Sequence, residues 1–452
     1  MRTMTASPSN LRSHITLALC AILHALTHAF GQALVPLYLL IVADLKLQGV
    51  RQASLIVTIY GFVYCVASYA AGILADRFNR KVLLAVGLFG NALAVIAMGL
   101  VRQYEMLIVL GVLAGLFGTL FHPAANALVP AHYPKSPGMA IGLLGMGSGL
   151  GFWFGPQYAG WRAQTANWHW GLIADWQRPC IEMGIMGLVV GAIFLILARE
   201  VHPDEPPQKE DAMLPNRVAI EAIVTDIRGE HARVHVPLTA SLRRLVIAIG
   251  SVLALRDFVG IATISLLSIY LQKGFSYTPK QAGTVVGSMM LLSVAINPLA
   301  VYLSRGTRRL AGLLVVLTGG AGTLLVVPLV PVGWVLPVMC IFQSFQFGSY
   351  AISDAALLER VSPQVRGRVV GLFLTLAGTF ASLSPWAMGW WTDLLGTRAH
   401  DPMAYLPIFA TLSGMMLLAS FSRPLIARLG TEPGQLEERF SSPPATSLET
   451  AG

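Results

Sequence analysis

Long apolar runs separated by short polar segments set the rhythm of this chain. Twelve of them cover residues 13–41, 53–75, 82–101, 106–129, 138–160, 181–198, 245–271, 281–303, 310–330, 332–354, 368–390 and 403–422. A helix needs about 20 apolar residues to cross the roughly 30 Å hydrocarbon core of a bilayer, and these runs have that length. Backbone polar groups in lipid must be paired within the segment, which a helix does by itself. The pattern predicts an all-α integral membrane protein with twelve transmembrane helices. Glycine and proline inside the runs do not oppose this, because neighbouring helices re-satisfy the groups they free.

Composition narrows the class. Of 452 residues, 55% are hydrophobic and only 12% charged, outside the balance of a soluble globular chain. The net charge of +9 suggests nucleic-acid binding only until the charges are placed along the runs. With the N-terminus inside, 22 of the 31 Lys and Arg fall on the cytoplasmic side, 8 outside, and Arg256 within a run. This positive-inside bias predicts cytoplasmic N- and C-termini and no nucleic-acid partner. The first run is too long for a signal-peptide core and no small-residue cleavage site follows, so it is expected to be retained. Cys20, Cys65, Cys180 and Cys340 show no paired spacing, so neither a disulfide framework nor a metal knuckle is indicated.

The longest connection divides the runs six and six. The expected organisation is an N-terminal half, 1–198, a cytoplasmic linker, 199–244, a C-terminal half, 245–422, and a polar tail, 423–452. Within the linker, Arg217 to Ile227 could form a short amphipathic helix. The halves resemble each other: Ala127 to Trp161 aligns without a gap, 229 residues later, to Ala356 to Trp390. Pro134, Gly138, Gly142, Pro156 and Trp161 fall on Pro363, Gly367, Gly371, Pro385 and Trp390. A parallel repeat of six helices implies a pseudo-two-fold axis along the membrane normal, with a pathway between the halves.

After the second run comes GILADRFNRK, Gly72 to Lys81. Gly72 permits close helix approach, Asp76 can meet a helix N-terminus or a cation, and Arg77, Arg80 and Lys81 hold the turn at the cytoplasmic face. Asn79 is a residue that tolerates positive φ. This stretch resembles the loop between helices two and three of the major facilitator superfamily, with Asn79 in place of a family glycine. The corresponding second-half loop, Ala300 to Arg309, carries Ser304 where Asp76 stands. The resemblance covers residues 13–422 and implies a 6+6 helical transporter working by alternating access, a monomer in the inner membrane. Gly151 to Gly160, with Gly155 and Pro156, looks like the helix-five pattern of the antiporter branches. Small residues there allow tight packing and Pro156 bends the helix. Phe121-His122-Pro123 is similar to the fosmidomycin-resistance-like exporters of the superfamily.

Few titratable groups lie within the runs away from their ends. His24, His28 and Gln32 recur every four residues and share one face of the first helix. That face is expected to border the central cavity, with the histidines serving a proton relay or a tie between helices. A His-x-x-x-His pair can also bind zinc, but no acidic third ligand is near in sequence, so no metal and no cofactor is expected. His122 and Asn126 lie one turn apart on the fourth helix; His122 is expected either to line the inner vestibule or cap a gate, or to serve as a helix-kink tie beside Pro123. Arg256 is the candidate anchor for an anion, and Asp257 an alternative proton acceptor. As neighbours on a helix they point about 100° apart and are not expected to serve one ligand together. One is expected to face the cavity while the other ties to helix eleven or the other half; a buried structural pair with a cross-helix partner is the alternative for Arg256. Gln343, Gln346 and Asp354 are candidate wall residues of helix ten. The loop Gly160 to Pro179, with four tryptophans, reads as an interfacial anchor.

No nucleotide loop or nucleophile elbow points to an enzyme. The expectation is a proton-coupled exporter of a small organic solute, anionic ones included. The first helix has no mid-membrane carboxylate and the fourth no arginine, which speaks against a broad cationic-drug exporter. An importer or uniporter of the same fold, or a non-transporting receptor or assembly factor, is the alternative.

Overall fold

The computed structural model describes residues 8–134, 136–164, 173–200, 239–292, 306–361 and 365–429, with 296, 299–300 and 302–304 between them. In chain order its helical spans are α1 (Leu11–Asp44), α2 (Val50–Arg77), α3 (Arg80–Met98), α4 (Tyr104–Ala131), α5 (Pro137–Gln164) and α6 (Gln177–Leu197). Then follow α7 (Ala240–Phe275), α8 (Pro279–Leu291), α9 (Arg309–Leu329), α10 (Val332–Leu357), α11 (Gly371–His400) and α12 (Pro402–Arg428). Among the described residues, eleven of these are long and apolar enough to cross a membrane. The eighth apolar run is matched only over its first part, by the 13-residue α8. The rest of that run lies largely outside the described residues. So do Arg217 to Ile227, Pro363, residues 165–172 of the tryptophan-bearing loop, and the tail from Gly430.

Two spans are broken. Helix α1 stops at Gln32, passes through a 3-10 turn at Val35–Leu37 holding Pro36, and resumes at Tyr38. Helix α4 ends a first piece at Gly118 and starts a second at Phe121. Pro123 falls in the first turn of that second piece, where a missing N–H costs nothing. His122 is therefore set on a helix start rather than in a continuous helix. Helix α5, by contrast, runs unbroken from Pro137 to Gln164 with Pro156 inside it.

Small residues fix how α5 packs. A Cβ added at Gly147, Gly151 or Gly155 would lie 2.3, 2.2 or 2.5 Å from the carbonyl oxygens of Ala21, Ala25 and Ala29 of α1. Two four-residue stripes of small side chains thus bring the α1 and α5 backbones into contact, the usual device where lipid supplies no hydrophobic drive between helices. Gly138, Gly142 and Gly145, earlier on α5, have nothing within 4 Å of such a Cβ. Gly151→Ala is expected to lower the melting temperature of the purified protein by several degrees, since overpacking costs about 1–3 kcal/mol. Gly142→Ala should leave it unchanged or slightly raised.

The two halves meet through a duplicated contact. Gly160 of α5 lies against Pro279 and Lys280 at the start of α8, and Gly389 of α11 lies against Arg51 at the start of α2. Gly283 of α8 faces the Pro156 carbonyl, and Ser54 of α2 faces Gly389. Gly160 and Gly389, and Ser54 and Gly283, are each separated by the 229 residues of the sequence repeat.

Candidate functional site

Hydrogen bonds between the halves gather at one end of the molecule. Asp393 of α11 accepts from the backbone N–H groups of Val50 (2.8 Å) and Arg51 (3.0 Å), capping the N-terminus of α2 from the other half. A carboxylate there is favoured by both the unpaired N–H groups and the helix dipole. The Trp386 N–H donates to Thr58 Oγ1 (2.9 Å), and Ser268 and Gln272 of α7 donate to the carbonyls of Val35 and Pro36 (3.0 and 3.1 Å). Both carbonyls belong to the 3-10 turn that interrupts α1. Towards the end that carries the Gly72 to Lys81 turn, Gly138, Gly142 and Gly371 have nothing within 4 Å of an added Cβ.

Between the halves lies a cavity of about 350 Å³. His28, Gln32, Tyr60, Tyr64 and Phe152 contribute to its wall from the first half, and Gln343, Gln346, Phe347 and Tyr350 from the second. The wall is largely apolar and aromatic and, among the described residues, holds no carboxylate or guanidinium. Its polar points are specific. Gln346 Nε2 donates to the Arg256 carbonyl (3.0 Å) and to the Tyr350 hydroxyl (3.0 Å), and Gln343 Nε2 rests against Met290 Sδ (3.6 Å). The Oε1 atoms of both glutamines and the Tyr64 hydroxyl are buried without a hydrogen-bond partner. Buried polar atoms normally have one, so these three await a ligand or water.

The histidines expected on one face of α1 do share it. His24 is buried and its Nδ1 lies 2.8 Å from the Leu144 carbonyl of α5. A carbonyl only accepts, so Nδ1 carries the hydrogen and Nε2 of neutral His24 is a bare acceptor. His28 Nε2 donates to it at 3.1 Å. Ring contacts fix both: Phe121 stacks on His24 with centroids 4.7 Å apart, and Phe152 on His28 at 4.6 Å. His122 closes the group from α4, 5.0 Å from His24 and 5.7 Å from His28 between ring centroids. His28 reaches the cavity wall, whereas His24 and His122 stand behind it. Asn126 is exposed one turn beyond His122.

Arg256 differs from its expected role as a free anion anchor. It is fully buried and off the cavity wall. Its Nε donates to Asp257 Oδ1 (2.7 Å), and Nη2 contacts the same oxygen as an ion pair at 2.6 Å. Nη1 donates to Ser353 Oγ (2.6 Å) and to the Ser349 carbonyl (3.2 Å), and the guanidinium lies 4.2 Å from the Tyr350 ring centre. Adjacent residues that leave the helix about 100° apart thus meet after all, because the long arginine stem folds back along α7. Asp257 lies one turn before Gly260 and Ile261, both on the cavity wall, and so points towards the same side. Asp354 of α10 is exposed and accepts from Ser353 Oγ at 3.4 Å.

The Gly72 to Lys81 turn is built otherwise than its spacing suggested. Gly72 has nothing within 4 Å of an added Cβ, so it mediates no close approach. Asn79 has φ −58° and acts as the N-cap of α3, accepting from Val82 N–H. The other first-turn N–H groups, of Arg80 and Lys81, donate to Glu200 (3.4 and 2.7 Å). Glu200 thus takes the helix-start position considered for Asp76, which is exposed, as is Arg77. Asp393, Tyr64, Phe152 and Glu200 escaped the sequence reading: Asp393 and Glu200 lie beyond the apolar runs, and the aromatics look like ordinary membrane residues.

Comparison with known proteins agrees with this architecture. A family model described as Major Facilitator Superfamily matches residues 17–385. Multidrug resistance protein MdtG of Dickeya zeae is 31% identical over 196 residues, 42% of this chain and 45% of that one. Multidrug export protein EmrB of Haemophilus influenzae is 23% identical over 281 residues, 55% of this chain and 54% of that one. The matched stretch thus spans about half or less of either relative. A crystal structure of a bacterial homolog to the human lysosomal transporter Spinster, inward-facing and occupied, superposes with a TM-score of 0.74 at 16% identity, over 94% of this chain and 98% of that one. A bacterial homologue of the human drug peptide transporters PepT1 and PepT2 gives 0.67 at 16% identity, over 96% and 100%. With a family model across most of its length and many membrane-spanning helices, this multi-pass membrane protein belongs to the major facilitator superfamily.

Proposed function

We propose that the protein is a proton-coupled exporter, a secondary transporter of the inner membrane that moves a small organic solute out of the cytoplasm by alternating access. The observation that carries this reading is the cavity between the halves, with hydrogen bonds between the halves closing its Asp393 end. With the Arg77 to Lys81 turn on the cytoplasmic side, as the positive-inside bias expects, this conformation faces inwards and loads solute from the cytoplasm. The multidrug names of the sequence relatives support export.

The wall indicates the solute. Tyr60, Tyr64, Phe152, Phe347 and Tyr350 offer aromatic faces, and the free Gln343 and Gln346 carbonyls accept hydrogen bonds. A compound with an apolar aromatic body and one or two N–H or O–H donors fits them. Proton coupling is assigned to Asp257, on the cavity side of α7 and ion-paired with Arg256. A proton on Asp257 removes the charge that the buried guanidinium needs, and so changes how α7 is held. An anionic solute becomes compatible with the site only in that protonated state, when Arg256 is released.

The test is a thermal-stability screen of purified protein against uncharged, anionic and cationic aromatic compounds, since a binder of the native state raises its melting temperature. Compounds with an aromatic body and donors should stabilise the wild type, and Gln346→Leu should remove at least half of that shift. Stabilisation by small anions alone would overturn the solute class. The inter-half cap gives a second outcome: Asp393→Ala loses two charge-assisted hydrogen bonds, each about 1.5–3 kcal/mol. Labelling of a cysteine introduced at Thr58 should then rise severalfold as this end opens.

A further inference from the structure

The first helix supplies a His-x-x-x-His pair, and the fold supplies the third ligand that the sequence around it lacks. His24, His28 and His122 each offer a ring nitrogen, all within 4.8 Å of one another, in a group that contains no acidic side chain. We propose that these three histidines bind one divalent transition-metal ion of the zinc class, with the fourth coordination position open to the central cavity.

Three features argue for a built site rather than a chance cluster. The Nε2 atoms of His24 and His28 are 3.1 Å apart. Two nitrogens on one tetrahedral zinc, at bonds of about 2.0–2.1 Å, stand about 3.3 Å apart. The pair therefore already has the spacing of two ligands, and His122, with a ring nitrogen within 4.8 Å of theirs, supplies the third corner. Second, His24 donates its other nitrogen to the Leu144 carbonyl at 2.8 Å, the outer contact that fixes the tautomer and aims Nε2 of a metal-binding histidine. Third, Phe121 and Phe152 stack on His24 and His28, so two of the rings are held before any ion arrives.

Ligand chemistry selects the ion. Three neutral imidazoles suit zinc, copper and nickel and offer nothing to magnesium or calcium, which want oxygen. On binding, the hydrogen that His28 Nε2 shares with His24 moves to Nδ1 of the same ring, so both Nε2 lone pairs turn to the metal with no net proton released. His28 borders the cavity, and so does Tyr64, whose ring lies 6.0 Å from that of His122 between centroids. The fourth position is thus accessible to water or to a donor atom of a solute. Coordination rests on this geometry alone and is independent of whether the protein couples transport to protons.

The experiment uses full-length protein, freed of any affinity tag and stripped with a chelator. Zn²⁺ binding is measured by calorimetry and Co²⁺ binding by visible absorption. One ion per chain is expected, with the intense visible bands of tetrahedral Co²⁺. His24→Gln and His122→Gln should each weaken binding at least tenfold, while His14→Gln, on the exposed start of α1, should not. Wild-type protein without tetrahedral Co²⁺ bands overturns the proposal even if a variant fails to fold, and so does Zn²⁺ affinity unchanged in both cluster variants. Solute-driven melting shifts are read separately, so loss of metal binding leaves the transport reading standing, and the reverse.

Discussion

Asp257→Asn is expected to abolish the response of transport to a pH gradient and to lower the melting temperature sharply. Arg256 is fully buried, and Asp257 is the carboxylate paired with it. Removing one partner of a buried pair leaves an uncompensated charge, a loss of about 3–5 kcal/mol. Instability alone would explain lost activity, so a double replacement separates the two effects. Arg256→Met with Asp257→Leu replaces both charges by apolar side chains, a change that is often near neutral or stabilising for buried pairs. The double variant should recover most of the melting temperature, still bind aromatic solutes, and show transport that no longer depends on the imposed pH gradient. Gradient-dependent transport in the double variant would move the coupling elsewhere, with His28 on the cavity wall as the next group to replace.

Gly283→Leu is expected to trap the transporter away from the conformation described here. A Cβ at Gly283 would stand 2.3 Å from the Pro156 carbonyl, a backbone atom that cannot step aside. This contact joins α5 and α8 across the halves in the structure whose Asp393 end is closed. The substitution should reduce transport at least tenfold while leaving the protein folded. A cysteine pair at Arg51 and Gly389 should cross-link readily in an otherwise wild-type background and poorly beside Gly283→Leu. Equal cross-linking in both backgrounds would mean that the helices yield at this point and that Gly283 does not gate closure.

Hydrophobic periodicity and run length revealed most of the architecture, because lipid allows few alternatives to a helix. The repeat was also legible: the glycines it aligns near Pro156 and Pro385 are those that seal one end. What the pattern did not reveal is where side chains reach across helices. His24 and His28 were placed on one face by their spacing, but His122 joins them only because α4 breaks at Thr119 and restarts at Phe121. A sequence read residue by residue has no way to bring α4 to α1. Arg256 and Asp257 were separated by helical geometry, which fixes the Cβ directions and says little about a flexible stem several bonds long. Gly72 and Asn79 were read through a family pattern, whereas the packing assigns the helix start at this turn to Asn79 and Glu200. Asp393 lay just past the eleventh apolar run, where a lone acid looks like surface. Its role comes from the N-terminus of α2, which folding brings beside it.

The central claim, that solute and protons move through one cavity between the halves, is tested most directly by proton flux. Purified protein is reconstituted into liposomes with an entrapped pH dye, and a compound that raises its melting temperature is added outside without any imposed gradient. The account predicts a solute-dependent pH change inside wild-type liposomes, absent with the Arg256→Met, Asp257→Leu double variant although the solute still crosses. Solute crossing wild-type liposomes with no pH change, or an equal pH change with the double variant, would contradict it.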